Sequence, residues 1–124
     1  MLTKKDKKKE YNLLELTPRR LRDHDVDEEG IVTVKYPRFE TAVLSKFLVP
    51  SWKRPYVRMR LDRFGSYVWL HSDGDRTVDS IAEGMLEEFG EEAEPVYDRL
   101  KSFLLQLHRA RYLTLQAPDG TTVR

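Results

Sequence analysis

Cysteine is missing from all 124 residues. That removes disulfides, thiol nucleophiles, Cys-ligated zinc and iron–sulfur clusters from consideration. No apolar run approaches the ~18 residues a membrane-spanning helix needs. Glycine is scattered: Gly65, Gly74, Gly84 and Gly90 stand alone, so no glycine-rich phosphate loop forms. No G-x-S-x-G elbow occurs. The three histidines, His24, His71 and His108, show no H-E-x-x-H or similar ligand spacing. An excess of one charge is lacking too: 22 basic and 21 acidic residues leave a net charge of +1. The total therefore gives no sign of a nucleic-acid binder, although local patches remain open. No catalysis, metal or cofactor is expected of this chain alone.

What is present reads as one small, highly charged globular domain, with 40% hydrophobic and 35% charged residues. The N-terminus is basic, Lys4-Lys5-Asp6-Lys7-Lys8-Lys9. The apolar stretch after it is too short and too charged for a signal peptide. Residues 1–20 are expected to be a basic, partly disordered extension, and the location is expected to be cytoplasmic. Residues 117–124 are expected to be a loose tail.

Between these ends, residues 22–28 and 31–36 predict a β-hairpin around Glu29-Gly30, rich in β-branched residues on its second arm. Pro37 to Pro55 is an excursion. Its Phe39, Val43 and Phe47 recur at helical spacing, with Leu44 and Leu48 beside them. That stripe is expected to pack on the domain; a partner or a membrane surface is the alternative. Tyr56 to Leu61 alternates, with Val57, Met59 and Leu61 opposing Tyr56, Arg58 and Arg60, and predicts a third strand.

Asp62 caps a first helix through Ser72, with Val68 and Trp69 as core residues. Asp73-Gly74-Asp75 is a turn. Thr77 caps a second helix carrying Val78, Ile81, Ala82, Met85 and Phe89, and Gly90 stops it. A third helix starts near Glu94, with Pro95 at its first position and a core stripe of Val96, Leu100, Phe103 and Leu107. Tyr112-Leu113-Thr114-Leu115 reads as a short final strand. The expected fold class is α+β and winged-helix-like, a small antiparallel three-stranded sheet followed by a three-helix bundle, spanning residues 21–116.

Structural roles absorb most chemistry-bearing residues. His24 among Asp23, Asp25 and Asp27 reads as a solvated hairpin edge rather than a metal site. His108 suits a helix C-terminus. Glu87-Glu88 and Glu91-Glu92 read as a solvated face. A winged helix invites a DNA reading, with the second helix of a pair entering the major groove. Here that helix is opened by Glu91, Glu92, Glu94 and Asp98, which would repel phosphates. The pattern argues against DNA.

Two surfaces read as binding surfaces. The third helix carries more apolar residues than one stripe needs. Tyr97, Leu104 and His108 lie about 80–120° from Val96, and Leu105 about 180°. This second stripe either packs under the sheet or lines a groove. The strand 56–61 is the other surface, with Arg58 and Arg60 on its outer face. From Lys35 to Arg63 there are eight basic and two acidic residues. Such an edge beside an apolar helix suits strand addition by an acidic peptide.

The run Leu61-Asp62-x-x-Gly65-x-x-Val68-Trp69-x-x-x-Asp73-Gly74-x-Arg76-Thr77-Val78-x-x-Ile81 resembles the PqqD family, small proteins of coenzyme PQQ synthesis. These are related to the precursor-peptide recognition elements of ribosomal peptide modification enzymes. The resemblance implies a non-catalytic peptide chaperone. It would take the leader of a ribosomal precursor as an added strand and present it to a modifying enzyme such as a radical S-adenosylmethionine protein. Carried onto this chain, the groove falls between the third strand and the third helix. The peptide-binding residues it implies are Tyr56, Val57, Arg58, Met59, Arg60, Tyr97, Lys101, Leu104, Leu105 and His108. The long excursion departs from the family pattern. A winged-helix regulator and a protein–protein adaptor, or a homodimer joined through the 38–49 stripe, are the competing readings.

Overall fold

The structure, a computed structural model, describes residues 12–37 and 56–123. A 3-10 turn (Leu13–Glu15) leads into β1 (Thr17–Arg20), β2 (Asp23–Val26), β3 (Val32–Pro37) and β4 (Tyr56–Arg60). Helices α1 (Arg63–His71), α2 (Val78–Phe89) and α3 (Val96–Arg109) follow, then β5 (Leu113–Gln116) and β6 (Thr122–Val123). The Phe39, Val43 and Phe47 stripe lies outside the described residues.

The expected three-stranded sheet is there, ordered β2-β3-β4 and antiparallel throughout. Val32 and Val34 point into the core and are fully buried. Asp27 fixes the hairpin turn, its Oδ1 accepting from the Glu29 and Ile31 amides at 2.8 and 2.9 Å. Those bonds hold the Asp27 carboxyl below its ordinary range.

The single-sheet expectation needs correcting. A second antiparallel sheet, β1-β5-β6, draws in both ends of the described chain. Thr17 to Arg20 pairs with Gln116 to Leu113. Leu16 and Ala117 join the core. Strands thus stand on both sides of the helices in sequence, and among the described residues the architecture is α+β with two small sheets and three helices. A short polar strand such as Thr17-Pro18-Arg19-Arg20 carries no period of its own. Only its distant partner defines it.

The helix caps follow the sequence. Asp62 Oδ1 accepts from the Gly65 amide at 2.7 Å, and Thr77 Oγ1 accepts from the Ser80 amide at 3.1 Å. Pro95 stands just before α3 with extended backbone, not at its first helical position. Gly74 turns at a φ of 87°, and a Cβ there would meet the Arg19 guanidinium at 2.8 Å. The Asp-Gly turn therefore serves as a seat for β1 as well as a connection.

Polar side chains tie α1 to both sheets and brace its C-terminal end. The Val32 amide donates to the buried Ser66 Oγ at 2.8 Å, and Ser72 Oγ donates to the Val68 carbonyl at 2.7 Å. Arg20 Nη1 donates to the Trp69 and Leu70 carbonyls, both at 2.9 Å, and so closes the C-terminus of α1. Trp69 is fully buried, as expected, and its Nε1 finds no acceptor among the described residues.

The core stripe of α3 differs from the expected one. Val96, Leu100, Leu104 and Leu107 are buried, while Phe103 is only half-buried. The core direction has rotated by about 25° toward Leu104. The second sheet is the cause: its Leu113 and Leu115, both buried, give α3 a second apolar partner.

Candidate functional site

The first predicted surface is the outer face and edge of β4. Leu61 donates from its amide to the Val32 carbonyl at 2.9 Å, which makes that pair hydrogen-bonded. Alternation along an antiparallel ladder then turns the main-chain groups of Met59 and Val57 toward β3. The N–H and C=O groups of Tyr56, Arg58 and Arg60 point to the opposite edge. Among the described residues, no strand pairs with that edge.

The side chains of this face are already engaged. Arg58 lies 3.7 Å from Asp25, Lys35 lies 3.4 Å from the same carboxylate, and Arg60 lies 3.5 Å from Asp27. Asp25 of β2 and Asp27 just after it thus face the basic residues of β3 and β4 across the sheet. Asp25 and Asp27 read better as these counter-charges than as a bare solvated edge. His24 turns inward instead, its ring meeting that of Trp69 edge-on at 6.0 Å. Burial, followed by the Arg20 charge, pushes its pKa down from 6.5. Among the described residues, no group of three or more His, Asp or Glu side chains is arranged to hold a metal ion.

The second predicted surface is the outer stripe of α3, and the structure divides it. Leu104 is fully buried and takes the core alternative. Tyr97, Lys101, Leu105 and His108 do line a groove, of about 670 Å³. Its far wall is Leu13, Leu14, Leu115 and Val123, from the N-terminal turn and the second sheet. Among the described residues, none from β4 lines it. The groove expected between β4 and this stripe is therefore not the one formed. His108 Nε2 bonds the Val123 carbonyl at 3.0 Å, and Tyr97 donates its hydroxyl to Asp79 at 3.1 Å. That acceptor raises the Tyr97 pKa.

The α3 residue found next to the end of β4 is Phe103. A Cβ on Gly65 would stand 3.2 Å from the Phe103 ring and 3.3 Å from Leu61 Cβ. Phe103, Phe64, Val68, Arg99 and Leu100 line a hollow of about 170 Å³. The Arg99 guanidinium lies 3.9 Å from the Phe64 ring centre, which packs 4.6 Å from that of Phe89. The sequence predicts Phe103 and Phe89 as core residues; the half-exposure of Phe103 follows from the rotated stripe of α3, while Phe89, at the end of α2, is half-buried against Phe64 and Tyr67. An Arg and Phe sharing a helix face four residues apart was the only available signal.

The carboxylates that opened α3 in sequence remain at its leading end. Glu91, Glu92, Glu94 and Asp98 are all exposed there. Among the described residues, no helix is long and apolar enough to cross a membrane.

No curated protein and no solved structure matches the chain. Residues 56–113, slightly less than half of the chain, match the family model described as coenzyme PQQ synthesis protein D. The match starts with β4, runs through all three helices and ends at the first residue of β5. Over that span the chain is PqqD-like.

Proposed function

We propose that this chain captures the leader of a ribosomally made precursor peptide as an added strand on β4, and presents it to a modifying enzyme without catalysing a step itself. The observation that carries the reading is the edge of β4. Its outward main-chain groups, on Arg58 and Arg60, have no strand partner among the described residues. They lie within the PqqD-like span. Strand addition uses main-chain bonds for affinity and alternate side-chain positions for specificity. Incoming side chains on one face would meet Arg58 and Arg60, and acidic ones would share these with Asp25 and Asp27. A radical S-adenosylmethionine enzyme is the partner class that the family resemblance implies.

The test uses the direction of the Arg58 amide. Arg58→Pro removes a donor that faces the open edge and leaves the β3 ladder bonded, so the strand should survive. Isotope-labelled protein is titrated with synthetic leaders of candidate precursor peptides. The expected result is loss of binding in Arg58→Pro and near-normal binding in Arg58→Gln. Equal binding by the folded proline variant would remove strand addition from β4.

A further inference from the structure

A larger groove, of about 920 Å³, lies where the C-terminal end of α3 meets the second sheet. Leu21, Leu105 and Leu113 give it an apolar floor, with Arg22, Arg109 and Arg111 around it. Among the described residues, no carboxylate lines it. It adjoins the groove beside Tyr97, because Leu105 and His108 line both. Three large hydrophobic side chains are exposed among the described residues, and two of them, Leu21 at 49% and Tyr97 at 42%, lie on these paired grooves.

The charges here differ from those on the first sheet. Among the described residues, neither Arg109 nor Arg111 makes an ion pair, whereas Lys35, Arg58, Arg60, Arg63 and Arg76 each do. A cation at a helix C-terminus has an ordinary role toward the helix dipole, and that accounts for Arg109. It does not account for Arg111. The Tyr112 amide donates to the Leu107 carbonyl at 2.9 Å and the Arg111 amide to the His108 carbonyl at 3.1 Å. This pair of bonds is the Schellman closure of a helix, and Arg111 occupies its left-handed position at a φ of 66°. Glycine takes that position without strain; an arginine does not. Backbone strain at a charged, exposed side chain points to a use for the charge.

We infer that this groove docks an acidic segment of a partner protein, with carboxylates on Arg109 and Arg111 and apolar side chains on Leu21, Leu105 and Leu113. A protein segment fits better than a nucleic acid, since phosphates have no use for the leucine floor. The carboxylates at the leading end of α3 would also repel a polyanion running along the helix. The surface is separate from β4, so one partner can be held here while a peptide occupies the strand edge.

The test follows the amides of the full chain by NMR while a short peptide of Glu and Leu is added, with its Gln-and-Leu counterpart as control. The acidic peptide should shift Leu21, Leu105, His108, Leu113 and Thr114, and bind more weakly as salt rises. Arg111→Gly and Arg109→Gln should each weaken it by up to about fivefold. Arg111→Gly should at the same time raise the denaturation midpoint, which separates lost charge from lost fold. Equal shifts from the Gln peptide would overturn the assignment. So would shifts confined to residues 58–61, or binding unchanged in both variants. Binding to anionic phospholipid vesicles or to a DNA duplex without response to the acidic peptide would overturn it as well.

Discussion

The outer face of the first sheet and the groove along α3 both carry arginines, yet they are built in opposite ways. On the sheet, Asp25 of β2 meets Lys35 and Arg58, and Asp27 just beyond β2 meets Arg60, across the face of β3 and β4. What that face leaves without a strand partner among the described residues is main chain. On the α3 side the main chain is closed, by the Schellman bonds and by the Leu21 amide donating to the Tyr112 carbonyl at 2.9 Å. What that side leaves open is apolar side chain and positive charge. An exposed strand edge selects for extended peptide of many sequences; a charged apolar groove selects for side chains. Basic residues alone would not have told the two apart.

The sharpest break between buried and open parts of α3 falls between two neighbours. Leu104→Ala should cost about 2–5 kcal/mol, because Leu104 is fully buried. Leu105→Ala should cost under about 1 kcal/mol, because its side chain borders the grooves. Urea denaturation midpoints compare them, and equal losses would mean the groove is closed in solution. Arg111→Gly should stabilise by about 1 kcal/mol by releasing the positive φ. A loss of stability in that variant would show that Arg111 is held by contacts rather than strained.

On the sheet, a double-mutant cycle of Asp25→Asn with Arg58→Gln should give a coupling below about 1 kcal/mol, shrinking with salt, since both side chains are exposed. A larger value would mean the ion pairs organise the edge rather than merely balance it.

The smallest effect is a pH slope. Folding lowers the His24 pKa from 6.5, so the unfolded chain binds the proton more readily. Stability should be full above that value and fall as pH drops through 6.5 toward the lowered folded value. His24→Gln should flatten this part of the profile. Asp27 and Asp73, whose pKa values folding lowers from 3.8, act in a separate window. Their contribution is lost only as pH falls below that figure. A stability profile with no step near 6.5 would detach His24 from Trp69.

Much of the first sheet and of the helices was legible because each signal is local. Val32 and Val34 alternate with polar neighbours, Asp62 and Thr77 stand where caps are needed, and Gly74 and Gly90 stand where the chain must turn at positive φ. The β4 edge was legible for the same reason. The partner of α3 was not. Two leucines, 104 and 105, are adjacent in sequence and alike in chemistry, and the reading placed both in the site.

The sequence by itself determined the strand and the three helices between residues 56 and 109, the caps at Asp62 and Thr77, and the absence of thiol chemistry. Tertiary structure alone decided that Thr17 to Arg20 is a strand and that Leu104 is core. It also decided that, among the described residues, Arg58 is ion-paired while Arg111 is not. The reason is range: caps, turns and periodicity act within a few residues, whereas a strand of four residues and the burial of a helix face depend on partners about a hundred and about ten positions away respectively.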